Sequence, residues 1–255
     1  MKIVVCVKQV PDTAADKKFN AQQRLERTGV ENILNPFDEY AVEEALRLKE
    51  AKGGEVTALC MGPETGRETV RKSIAMGVDK GVLVSDAALV GADIPATAYV
   101  LAQALKKLEW DLVFFGMEST DARAGLVPAA VAEHLGVPLL GFASKFIAGE
   151  GEASIHRMTA EGYDVVSGKL PCLVSVTRAI NEPRYPSLKG IMASKKAQLD
   201  VLSLADVGGA ASNVESKCQV VNIAPPQPRP PCVIVKDDGS GAVAVAEFLV
   251  QRRVL

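Results

Sequence analysis

Apolar residues along this chain come in short runs that alternate with amphipathic stripes, which predicts strands crossed by helices. Lys2 to Val7 reads as a first strand. After a polar excursion from Pro11 to Val30, Asn35-Pro36-Phe37-Asp38 makes a helix start, with Asn as N-cap and proline at the first helical position. Ala41, Val42, Ala45, Leu46 and Leu48 then recur at helical spacing until Gly53-Gly54 ends the pattern. Val56 to Met61 predicts a second strand. Gly62-Pro63 turns from it into a helix with Val70 and Ile74 on one face and Gly77 as its C-cap. A third strand, Gly81 to Val84, leads to a helix from about Asp93 to Leu108. Asp111 to Phe115 is apolar after its aspartate, as suits a central strand covered on both faces. The next helix is expected from about Arg123 to Leu135, ended by Gly136.

Repeated strand-then-helix units predict an α/β fold with a doubly wound, mostly parallel sheet and right-handed crossovers. From Leu139 to Val176 the rhythm changes to short strands split by Gly149-Glu150-Gly151, Glu161-Gly162 and Gly168-Lys169, which predicts a β-hairpin addition to one edge. The expected organisation is an α/β nucleotide-binding domain over 1–200, including a distinctive segment at 181–196, and a C-terminal arm over 201–255. The arm carries a proline run, Ala224 to Pro231, that can only be extended, and a short helix from Ala242 to Gln251. Such a weakly apolar segment is expected to order only along a partner.

Composition narrows the picture a little. Hydrophobic residues make up 48% and charged residues 24%, enough for a sizeable core. A formal net charge of −2 argues against nucleic acid as the main partner. No apolar run has the length of a membrane span, and Met1 to Val7 is too short for a signal h-region. The five cysteines are widely spaced without a C-x-x-C pair, and neither His134 nor His156 has ligand-like neighbours. A reducing, cytoplasmic setting without a structural metal is therefore expected.

Candidate chemistry gathers at the carboxyl ends of the strands, where open α/β sheets bind ligands. Four stretches converge there: Cys6-Val7-Lys8, Asn35 to Asp38, Cys60 to Pro63, and Gly116-Met117-Glu118-Ser119-Thr120-Asp121. Backbone amides and the helix dipole at Arg123-Ala124-Gly125 suit a phosphate, with Arg123 as an added charge. The plainer alternative makes Thr120 or Asp121 an N-cap. Neither G-x-G-x-x-G, nor a Walker P-loop, nor G-x-S-x-G is present, and Glu43-Glu44 reads as a solvated helix face. No catalytic side chains stand out, whereas a nucleotide-binding module is supported. Ile180 to Lys196 mixes rigid Glu182-Pro183 and Tyr185-Pro186 turns with Leu188, Ile191 and Met192, either as an ordinary surface loop or as a stiffened segment presenting an apolar anchor.

Several stretches, in order, resemble the β subunits of electron transfer flavoproteins along nearly the whole chain. They are Val7 to Asp12, Asn35 to Glu39 with Ala41 to Ala45, Met61-Gly62-Pro63, Ala75 to Lys80, Gly116 to Asp121, and most specifically Asn181 to Tyr185 through Ile191 to Lys196. The resemblance implies a heterodimer with an α subunit that holds most of the redox FAD. It also implies AMP as a structural ligand of this chain, or, in electron-bifurcating members, a second FAD that oxidises NADH. By position the AMP contacts would be Cys6 (main chain), Asn35, Pro36, Phe37, Asp38, Met61, Gly116, Met117, Glu118, Ser119, Thr120, Asp121, Ala122, Arg123, Ala124, Gly125, Leu126 and Val127. Segment 181–196 would be the recognition loop for flavin dehydrogenases such as acyl-CoA dehydrogenases, with Arg184, Tyr185, Leu188, Ile191 and Met192 as its contacts and Leu188 as anchor. The arm would wrap the α subunit. The chain departs from the common pattern around Asp121, where Glu118-Ser119-Thr120 precede it and Ala122 to Val127 supply few polar side chains.

Overall fold

Seven short runs of β-branched and aliphatic residues form the parallel part of one large sheet. A computed structural model describes residues 1–255, and the chain divides into two units, Met1–Val220 and Val221–Leu255. The first unit begins with β1 (Lys2–Val7), a small antiparallel pair β2 (Gln9–Pro11) and β3 (Asn32–Leu34), and helix α1 (Pro36–Lys52). There follow β4 (Glu55–Met61), α2 (Arg67–Met76), β5 (Lys80–Val84), α3 (Ile94–Leu105), β6 (Leu112–Gly116) and α4 (Val127–Leu135). The unit continues through β7 (Leu139–Ala148), β8 (Glu152–Met158), β9 (Tyr163–Lys169), β10 (Cys172–Val176), α5 (Leu188–Lys196) and β11 (Asp200–Leu202). In the sheet the order is β11-β5-β4-β1-β6-β10-β7-β8-β9, parallel from β11 through β7 and antiparallel across β8 and β9.

Strand alternation divides the core into two layers. Ile3, Val5 and Val7 meet α1 and α2, through Val42, Leu46, Val70 and Ile74. Val4 and Cys6 face the other way, toward Val100, Leu101 and Leu105 of α3 and Val131 of α4. The chain steps outward from β1 to β4 to β5, then α3 carries it back over the opposite face to lay β6 beside β1. The strand order therefore reverses between β1 and β6, and the crevice of a doubly wound sheet opens there. Helix α1 has Asp38 and Glu39 in its first turn and Lys49 and Lys52 in its last, the charge order that its macrodipole favours.

Three expectations about elements need correction. Helix α4 starts at Val127, not near Arg123, because Arg123 (φ 51°) and Gly125 (φ 64°) are left-handed, and Pro128 sits in the first turn. The edge addition is larger than a hairpin: β7, β8 and β9 form a three-stranded meander, with β10 returning between β6 and β7. The first unit ends at Val220, not at position 200, because β11 pairs with β5 and Leu204, Val207 and Val214 are buried in the α3 layer. In the second unit, the proline run has no regular structure and α6 (Gly241–Gln251) is the one helix.

Candidate functional site

Gly116 closes β6 at the switch point, and its missing side chain sets the local geometry. A Cβ there would lie 2.4 Å from Asp38 Oδ1 and 2.7 Å from the Phe37 carbonyl carbon, so only glycine lets the first turn of α1 touch β6. Asp38 is buried, and its Oδ2 accepts the Lys8 N–H at 2.8 Å. Burial pushes this carboxyl up to about 7, against hydrogen bonds from Asn35 and the Lys8 and Gly116 amides that favour the charged form. Asn35 is the N-cap residue of α1 by position, yet its side chain does not cap. Its Nδ2 donates to the Glu118 carbonyl at 2.9 Å and its Oδ1 accepts the Thr120 N–H at 3.1 Å. Asn35 thus fastens the loop after β6 to the start of α1.

That loop, Met117 to Leu126, is rich in unpaired donors. Arg123 N–H bonds the Ser119 carbonyl at 2.8 Å, but the amides of Ala122, Ala124, Gly125 and Leu126 have no partner in the chain. Left-handed residues at 123 and 125 and a run of free amides make a backbone surface suited to an anion. The Thr120 hydroxyl is buried and without a hydrogen bond. A buried hydroxyl costs about 1–3 kcal/mol if left unmet, so it points to a ligand in the crevice.

Asp121 next to it is already occupied. Its side chain, 2% exposed, pairs with Lys8 at 2.8 Å and Arg27 at 2.5 Å. Burial alone would raise this carboxyl, yet Lys8, Ser119 and Arg27 outweigh it and hold it at about 2. Lys8 and Arg27 remain half-exposed cations at the crevice mouth, and the Arg178 guanidinium lies over the Phe37 ring at 5.7 Å. Lys8 stood among the strand ends of the candidate site in the sequence, by its position directly after β1, but nothing in composition or local pattern singled out Arg27 or Arg178.

The structure brings Cys6, Asn35, Pro36, Phe37, Asp38, Met61 and Gly116 to Asp121 to the ends of the adjacent strands β4, β1 and β6, while Ala122, Arg123, Ala124 and Leu126 are exposed beyond them. Cys6 is buried, and its thiol is pushed well above the usual range by burial first and by the Asp38 charge next. It is no nucleophile in that state. No group of three or more His, Cys, Asp or Glu side chains is arranged to hold a metal ion, and no helix is long and apolar enough to cross a membrane.

On the flank of α1 lies segment 181–196. It has no regular structure up to Ser187, whose Oγ caps α5 by accepting the Gly190 N–H at 3.0 Å. Tyr185 (94% exposed), Leu188 (83%) and Met192 (65%) face solvent, and Ile191 does so less fully. Arg184 instead turns inward to Glu43, at 2.7 Å from Nε and 3.2 Å from Nη2, and to Glu50 at 2.5 Å. Glu43-Glu44 is therefore not the solvated face expected. Glu43 is buried and also binds Arg47 at 2.7 Å, and Glu44 accepts from Asn181 Nδ2 at 3.0 Å. Burial would raise the Glu43 carboxyl, but Arg184 and Arg47 hold it below its ordinary value.

Comparison with known proteins places the chain in a family. The family model of the electron transfer flavoprotein domain matches residues 24–207. The chain is 38% identical over 263 residues, 99% of both chains, to an electron transfer flavoprotein subunit beta from Mycobacterium tuberculosis. It is 35% identical to the corresponding subunit of Megasphaera elsdenii, over 100% of both chains. A further relative, at 38% identity over 210 residues (82% of this chain, 80% of the relative), is the caffeyl-CoA reductase-Etf complex subunit CarD of Acetobacterium woodii. The chain belongs to the electron transfer flavoprotein family, as a β subunit serving electron transfer.

Proposed function

We propose that this chain binds AMP as a structural ligand in the β1–β6 crevice, supports the redox FAD of an α subunit, and docks flavin dehydrogenases such as acyl-CoA dehydrogenases through Leu188. The bound flavin would supply the electron-carrying chemistry. This chain's own residues bind and orient. Asn35 holds the Thr120 amide in place, and the free amides of Ala122, Ala124, Gly125 and Leu126 meet a phosphate. Lys8 and Arg27 set a positive rim around the buried Asp121. Tyr185, Leu188 and Met192 offer apolar side chains that a partner could desolvate.

The second unit fits an arm laid on the α subunit. Its α6 exposes Val243 and Val250 on one side of the helix and Val245 and Phe248 on the other. Five free cysteines without a disulfide fit a reducing, cytoplasmic setting.

The observation that carries the nucleotide reading is the buried, unpaired Thr120 hydroxyl within a loop of unpaired amides. Thr120→Val keeps the shape and removes the hydroxyl. AMP should then dissociate from the purified complex roughly five- to tenfold faster, for one lost hydrogen bond. Unchanged AMP release would remove Thr120, and the crevice with it, from the nucleotide site.

A further inference from the structure

Segment 181–196 needs a fixed pose to work as a docking surface, yet residues 181–187 have no regular structure of their own. Ordering a free segment on a partner would cost backbone entropy at every residue, which a preformed pose avoids. The pose here is set by polar contacts on α1. Glu43 alone accepts from the Arg184 amide at 3.2 Å, from Arg184 Nε at 2.7 Å and from Arg184 Nη2 at 3.2 Å. Asn181 donates to the Tyr40 carbonyl at 3.1 Å and to Glu44 at 3.0 Å, just upstream. At the other end, a Cβ on Gly190 would fall 2.2 Å from the Ala75 carbonyl oxygen, so α5 sits directly against the last turn of α2. Arg71 of α2 also donates to the Ser194 carbonyl at 2.5 Å.

We propose that Glu43 is a positioning residue for electron transfer: from the buried flank of α1 it holds Arg184, and through Arg184 it fixes the pose in which Leu188 meets a partner. The proposal rests on the docking role given to segment 181–196. Glu43 fits this role better than one in plain stability. A buried ion pair is a poor stabiliser compared with apolar packing, but it fixes geometry that apolar contacts leave loose. Glu50, the other partner of Arg184, is itself 57% exposed and holds it weakly on its own. Glu43 also lies more than a helical turn beyond Asp38, so it acts on the segment without touching the crevice.

The test uses the complete complex with the α subunit and an acyl-CoA dehydrogenase as electron donor, comparing Glu43→Gln, Arg184→Gln and Leu188→Ala. With Glu43→Gln, the KM for the complex should rise about tenfold while kcat and the released FAD and AMP stay unchanged, the pattern of lost preorganisation rather than lost chemistry. Glu43→Asp, which keeps the charge, should recover part of the loss. Arg184→Gln breaks the same contact from its exposed side and should raise KM as well, so the proposal stays testable if the buried variant folds poorly. The proposal is overturned if Leu188→Ala raises KM while neither Glu43→Gln nor Arg184→Gln does. If Leu188→Ala also leaves KM unchanged, the docking role itself is wrong, and the positioning role goes with it.

Discussion

Asp38 offers the sharpest physical test of the crevice, because its buried carboxyl lies against the Lys8 amide beyond β1 and against Gly116 at the end of β6. Burial raises it from 3.8 to about 7, although the Lys8 amide donates to it at 2.8 Å. The folded protein therefore holds this proton more tightly than the unfolded chain does. Below about pH 4 both states are protonated and the whole stabilising contribution is present; it is lost as pH rises toward 7 and stays lost above that. The full shift corresponds to about 4 kcal/mol, and the part lying between pH 5 and pH 8 to about 3 kcal/mol.

Asp38→Asn removes the titration and keeps the shape. An amide can accept from only one of the two backbone donors, Lys8 and Gly116, so the variant is offset by about 1–3 kcal/mol at every pH. That offset moves its stability curve vertically and leaves the slope alone. The assay is thermal unfolding of the purified complex, wild type and variant, followed by circular dichroism at pH 5, 6, 7 and 8. Relative to the variant, the wild-type Tm should fall by about 6–12 °C across that range, at about 2–4 °C per kcal/mol for a chain of this size. Parallel curves for the two proteins would refute the reasoning, since they would mean that Asp38 does not titrate in this window.

Two further substitutions probe the same end of the sheet. Gly116→Ala would drive a Cβ into the Phe37 backbone, where nothing flexible can yield, so it should cost about 1–3 kcal/mol and lower AMP content, read by urea unfolding and nucleotide release. A variant as stable as the wild type would show that α1 and β6 are not in contact. Asp121→Asn frees Arg27 from its buried partner, and no residue from 12 to 31 is itself buried. Trypsin should then cut after Arg24 or Arg27 several-fold faster, as expected for a segment whose main anchor is gone, and an unchanged rate would count against that anchor.

What could be read from the sequence was what depends on near neighbours. The runs Lys2 to Val7 and Asp111 to Phe115 are apolar because both sheet faces are covered, and they fall where the structure has β1 and β6. Asn35-Pro36 marked the start of α1 and Gly53 its end. The role of Asn35 was misread because its hydrogen-bond partners, Glu118 and Thr120, are more than eighty positions away. Capping rules see only the next turn. Glu43 was read as solvated for a similar reason, since Arg184, the partner that makes its burial tolerable, lies 141 positions along the chain. The start of α4 did leave a local sign in Pro128, but nothing local marked the left-handed turn at Arg123. Leu204, Val207 and Val214 are too sparse to show a period, and only their places on the α3 layer make them core.

The most direct test of the central claim is to purify the chain with its α subunit, denature the complex, and identify the released nucleotides by chromatography and mass. The account predicts FAD and AMP in equal amounts, with the AMP dissociating faster when Thr120 is changed to Val. Two FAD per complex and no AMP would contradict it, and would make this chain a flavin-bearing, NADH-oxidising subunit of the electron-bifurcating kind.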